Sequence, residues 1–166
     1  NDLFSLQVRM EQGYRHQSLL PYAKRMLDRS GAGEVSAENL KIEWYKLGTD
    51  FAFGVRDRLS SFSLSGLDEN LESSLDLAYQ LMRAPHISPE KWEESKKIIL
   101  AERDDEQKDP RSLSNALAHF HRYGEKSRFL DRPSDAELNA TSVDGLSKLL
   151  KDCLLYTSPS PRDLYQ

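Results

Sequence analysis

The chain has 166 residues, of which 38% are hydrophobic and 30% charged, with a formal net charge of −4 at neutral pH. That length suits one domain with a sizeable core, and the acidic balance excludes a broad cationic surface for nucleic acid. No apolar run approaches the ~20 residues of a membrane span, and no basic stretch followed by an apolar segment opens the chain as a signal peptide would.

Phe4, Leu6, Val8 and Met10 alternate with Ser5, Gln7 and Arg9, which predicts a half-buried strand over 3–10. From Gln17 to Arg29 the apolar positions Leu19, Leu20, Ala23, Met26 and Leu27 recur at three and four. They predict an amphipathic helix stopped by Gly31 and Gly33. Ser36 is the expected N-cap of a second helix that lines up Leu40, Trp44 and Leu47 and ends at Gly48. Phe51, Phe53 and Val55 alternate, Asp57 and Arg58 offer a turn, and Phe62, Leu64 and Gly66 continue the two-residue period as the return strand of a hairpin.

Asp68 is placed to cap a helix carrying Leu71, Leu75, Ala78 and Met82, closed by Ala84 and Pro85. Ser88, Pro89 and Glu90 open a long helix through Trp92 and Ile99 to Lys108. Asp109 and Pro110 break it, and Arg111 to Tyr123 reads as helical again. Ser134 and Glu137 have capping-box spacing before short helices near Leu138 and from Leu146 to Lys151. Three strands in adjacent pairs and about six helices predict an α+β fold with an antiparallel sheet packed with helices.

Both ends carry expectations of their own. The chain begins on Asn1 directly before a strand, which reads as a domain truncated at its N-terminal edge. The stretch from Cys153 to Asp163 reads as a translated transposase adapter from a sequencing library. A single domain over 1–152 is therefore expected, with 153–166 a non-native tail, and the only cysteine then says nothing of redox compartment.

Residues for chemistry are sparse. A hydrolytic zinc site needs about three protein ligands, and two histidines on one helix must sit four apart to face one ion. His16, His86, His119 and His121 never show that spacing, so the chain is expected to have no catalytic residues and no metal ligands of its own. The acids Glu102, Asp104, Asp105 and Glu106 offer paired carboxylates that an unrelated enzyme could use for general acid/base work, but they lie among Lys96, Lys97 and Lys108, the usual pattern of a solvated, ion-paired helix face. Gly31-Ala32-Gly33 has neither dinucleotide nor P-loop spacing, no nucleophile elbow exists, and Cys153 has no base near it in sequence. Trp44, Trp92 and the phenylalanines occupy predicted core positions rather than a nucleic-acid platform.

Several strings together resemble a known family: Leu3-Phe-Ser-Leu, Leu20-Pro-Tyr-Ala-Lys24, the Gly31-Ala-Gly33 stop, Ser36-Ala-Glu38-Asn-Leu40, Trp44-Tyr-Lys-Leu-Gly48, the stretch from Leu64 to Leu71, and Tyr123-Gly-Glu. In this combination, from Leu3 to Lys151, the chain resembles the insulinase-like (M16) zinc metallopeptidases, above all the large bacterial members. The resemblance implies homologous α+β domains closing as a clamshell around a peptide, with zinc bound only by the first, through a His-x-x-Glu-His helix and a later glutamate. It places Tyr22, Arg25 and Met26 where that motif would fall and Glu102 where the third ligand would stand. It therefore implies a non-catalytic repeat, the third of four. Its partners would be other M16 domains of the same chain and a peptide substrate, with zinc in the parent protein and none in this fragment. The family also contains subunits that kept the fold and serve structure or assembly, the alternative reading.

Overall fold

The structure is a computed structural model that describes residues 2–155. In chain order its elements are β1 (Leu3–Met10), α1 (Leu20–Leu27), β2 (Gly31–Ala32), α2 (Ala37–Leu47), β3 (Asp50–Val55), β4 (Ser60–Leu67), α3 (Leu71–Arg83), β5 (Pro85–His86), α4 (Pro89–Lys108), α5 (Pro110–Tyr123), α6 (Asp135–Ala140) and α7 (Val143–Leu155). They fall into two compact units. One holds the described residues up to Ile87 and from Val143 onward, and the other is Ser88–Ser142.

The first unit is built on an antiparallel sheet of order β1-β4-β3, as the paired strands predict. Leu6 sits opposite Leu64, Val8 opposite Phe62, and Phe62 opposite Phe53. The two-residue alternation thus gathers one apolar face across three strands. Helix α1 lays Leu20, Ala23, Met26 and Leu27 into the core, joined by Leu146 and Leu150 of α7. Each leucine or methionine among them stabilises by about 1.5–3 kcal/mol through removal from water. Buried polar groups in this unit are small hydroxyls with partners: Thr49 and Ser74 meet at 2.7 Å, and Ser30 donates to the Leu27 carbonyl.

Local chemistry sets the boundaries. The Ser36 hydroxyl accepts from the Asn39 N–H, and Gly48 ends α2 in the left-handed region at φ +59, where a side chain would strain the backbone. Ser88 caps α4, and Asp109 both ends α4 and caps α5 by accepting from the Arg111 and Ser112 N–H groups. Ser134 and Glu137 form the full capping box.

Five expectations are corrected. Gly31 and Gly33 do not stop α1, which ends at Leu27. Gly31 and Ala32 instead pair with His86 and Pro85 as a two-residue ladder, and a Cβ on Gly31 would fall 2.0 Å from the Val35 carbonyl oxygen. Helix α1 starts at Leu20 rather than Gln17, because Tyr14 and Arg15 donate their backbone N–H groups to the Arg56 and Asp57 carbonyls and hold the preceding segment as a turn. Asp68 does not cap α3; it opens a short 3₁₀ turn, Asp68–Asn70, and Asn70 donates its side-chain amide to the Leu47 carbonyl. Leu75 lies on the exposed side of α3, whose buried stripe is Ser74, Ala78, Leu81 and Met82. Among the described residues there are five strands rather than three, the additions being the two-residue strands β2 and β5.

The second unit is helical. Trp92, Ile99 and Leu138 are its buried apolar residues, with Ser95, Lys96, Arg103 and Ser127 the buried polar ones. The Trp92 indole donates to the Thr141 carbonyl at 2.9 Å. Lys96 donates to the Asn139 carbonyl and pairs with Glu93, Arg103 pairs with Asp135, and Arg132 pairs with Glu106 at 2.8 Å.

Helix α7 passes through Asp152 to Leu155 and buries Cys153 and Leu154. Residues 156–166 of the expected non-native tail lie outside the described residues.

Candidate functional site

Helix α1, Leu-Pro-Tyr-Ala-Lys-Arg-Met-Leu, contains no histidine and no carboxylate. Tyr22 and Arg25 are half-buried, and Met26 is 1% exposed. These residues do not fit zinc. A guanidinium is always cationic and has no lone pair to give, a thioether is a soft ligand suited to other metals, and Met26 is committed to the core. Glu102 is an exposed residue of α4, in the other unit.

Two of the four histidines, His16 and His119, make hydrogen bonds within their own segments. His16 accepts the Gly13 N–H on Nδ1 at 3.2 Å, and His86 is exposed on β5. His119 is half-buried on α5 and His121 is exposed, as expected for residues two apart on a helix. Among the described residues no group of three or more His, Cys, Asp or Glu side chains is placed to hold a metal ion.

The acidic run on α4 is ion-paired, with Asp104 bonded to Lys108 one turn on and Glu106 to Arg132. Burial pushes the Cys153 thiol up from its ordinary value despite a hydrogen bond with Ser60, which favours the neutral thiol over the reactive thiolate. Trp92 is buried, and Trp44 stacks on Phe51 at 5.7 Å between ring centres. Phe120, expected in the core, is 48% exposed, because α5 buries none of its residues.

One concave feature of the second unit holds a concentration of polar groups that the sequence did not reveal. Asn115, Ala118, His119 and Arg122 lie on one face of α5 at the i, i+3, i+4, i+7 spacing. With Tyr123, and Arg128 from the segment after α5, they line a cavity of about 320 Å³. Gly124, at φ +58, turns the chain so that residues 127–129 return to the helix. The His119 Nδ1 lies 3.1 Å from the Ser127 hydroxyl, and its ring packs 4.5 Å from Tyr123 and edge-on to Phe129. The Arg128 guanidinium sits 5.0 Å from the Phe129 ring centre. No motif joins residue 115 to residue 128, so only the folded turn makes this grouping visible.

No protein-family model matches the sequence, and no curated protein does. Solved structures do. A mutant of the ferredoxin protease FusC, in complex with Arabidopsis ferredoxin, superposes with a TM-score of 0.78 at 19% identity over 91% of this chain and 17% of its own. The periplasmic protease PqqL of Escherichia coli gives 0.76 at 16% identity over 92% of this chain and 17% of its own. A peptidase M16 inactive domain from Pseudomonas fluorescens gives 0.71 at 19% identity over 89% of this chain and 37% of its own. The chain thus has the α+β fold of an M16 peptidase repeat. It spans about one sixth of the two proteases and little more than a third of the inactive domain.

Proposed function

We propose that this chain is a non-catalytic repeat, the third of four, of an M16-like zinc metalloendopeptidase. It would form part of the wall of a chamber that encloses peptides cut by a zinc-bearing first domain. The observation that carries the reading is a helix α1 without histidine or carboxylate in a chain of M16 fold, with Met26 turned into the core. The similarity to a domain described as inactive and to two proteases supports it. So does the sheet, whose β1 and β3 are edge strands among the described residues, a geometry to which an extended peptide can add by main-chain hydrogen bonds. On this reading the repeat is residues 1–152, and zinc belongs to the parent.

The test has two arms. The purified 166-residue chain is expected to carry no stoichiometric zinc by elemental analysis and to leave a quenched-fluorescence peptide uncut. Chelator-sensitive cleavage with bound zinc would overturn the non-catalytic assignment. The parent gene is expected to encode His-x-x-Glu-His upstream. Its absence there and from neighbouring genes would replace the peptidase reading with that of a structural or assembly subunit of the same fold.

A further inference from the structure

We propose that the cavity beside α5 is a binding site for a compact dianion, a phosphate monoester or a short dicarboxylate, held between the guanidinium groups of Arg122 and Arg128. The inference does not depend on the peptidase reading, since it rests on the second unit alone.

Charge is the first ground. Between Pro110 and Leu130 the chain carries Arg111, Arg122, Lys126 and Arg128 against the single acid Glu125, four positive charges less one negative, or +3, within a chain of net −4. Pairing is the second. In the same unit Arg103 and Arg132 each hold a carboxylate, whereas neither Arg122 nor Arg128 has an ion-pair partner among the described residues, yet both line one cavity.

Donor geometry is the third ground. The Ser127 hydroxyl is fully buried, accepts from the Phe129 N–H at 3.5 Å and lies 3.1 Å from the His119 Nδ1. With His119 in the Nε2–H tautomer the hydroxyl donates to Nδ1 and the other ring nitrogen is a donor; a protonated ring donates from both nitrogens. The Asn115 amide and Tyr123 hydroxyl also have no hydrogen-bond partner among the described residues, and the volume is that of a small-ligand pocket.

Two guanidiniums select the charge of the ligand. A monocarboxylate is satisfied by one planar fork and leaves the second cation unneutralised, whereas a phosphate monoester or a dicarboxylate engages both. The dipole of α5 accounts for a cation in its last turn, hence for Arg122. It does not account for Arg128, which arrives from beyond the Gly124 turn.

The test titrates the 166-residue chain with inorganic phosphate, succinate and acetate at fixed ionic strength, followed by amide NMR shifts. Phosphate or succinate is expected to saturate, with shifts confined to residues 115–129, and acetate to bind at least about tenfold more weakly. Saturation by phosphate alone assigns the phosphate source, and by succinate alone the dicarboxylate. Arg122→Gln and Arg128→Gln should each weaken binding about tenfold or more, while Arg111→Gln, on the same helix but outside the cavity, changes it less than about twofold. Circular dichroism verifies that each variant folds. The proposal is overturned if neither dianion saturates by about 20 mM, if acetate binds as tightly as both, or if Arg111→Gln weakens binding as much as the cavity variants do.

Discussion

The first unit buries leucine, methionine and phenylalanine around a three-stranded sheet, and the polar groups it encloses are serine and threonine hydroxyls. The second encloses Lys96 and Arg103, and its helix α5 buries nothing. One unit is held mainly by apolar area. The other is held by a few anchors, above all Trp92, and by hydrogen bonds and ion pairs whose acidic partners stand in water: Asp135 is 64% and Glu93 62% exposed. The two should therefore respond differently to cavities, salt and acid.

The largest effects come from the anchors. Trp92→Ala is expected to destabilise by about 3–5 kcal/mol and Leu64→Ala by about 2–5 kcal/mol, measured by denaturant unfolding. Exchange protection should fall first in α4 and α6 for Trp92→Ala, and first in the sheet for Leu64→Ala. Loss confined to the sheet in both variants would erase the distinction between the units. Next, Met26→His places an imidazole in the first unit's core and should cost about 2–4 kcal/mol. Combined with Tyr22→His and Arg25→Glu, which complete the zinc motif on α1, it should remain at least as destabilised in the absence of metal.

Smaller effects sharpen the contrast. Raising sodium chloride to about 1 M should reduce amide protection in α4 and α6, where ion pairs with exposed partners are screened, and leave β4 unchanged. Ser134→Ala removes half of the capping box and should cost about 1 kcal/mol, read from the thermal midpoint. The smallest effect concerns acid. The Ser134 N–H, and then its hydroxyl, hold the Glu137 carboxyl below its ordinary value of 4.5. A depressed pKa means that its contribution is complete above the ordinary value and is lost as pH falls through the depressed one. The stability difference between the native chain and Glu137→Gln should therefore be constant from neutral pH to about 5 and shrink below 4.5. A difference that grows on acidification would mean that Glu137 stabilises the fold in its protonated form instead.

Where order in the chain reflects local chemistry, the sequence was legible. The alternation of Phe4 to Met10, the Ser36, Ser88 and Ser134 caps, and the Gly48 stop each act within a few residues and fall where expected. The ladder of Gly31–Ala32 with Pro85–His86 was not legible, since two residues carry no period and their partners lie far along the chain. Leu75 and Leu81 are equally apolar, and only packing decides which is buried. The composition of α1, without histidine or carboxylate, is plain from the sequence itself. The cavity beside α5 is not, because it depends on a turn at Gly124 that brings Arg128 back to Arg122.

Asp109 is the last cap of one helix and the first of the next, so the α4–α5 corner has no spare residue, where helix connections commonly use two to eight. A connection without slack behaves as a mechanical joint rather than a hinge. One inserted residue would have nowhere to bulge and would have to displace the Pro110 start, swinging the face that bears Asn115, His119 and Arg122 by about 100°. The corner, though it touches no ligand, would then set the tolerance to length change of everything α5 presents.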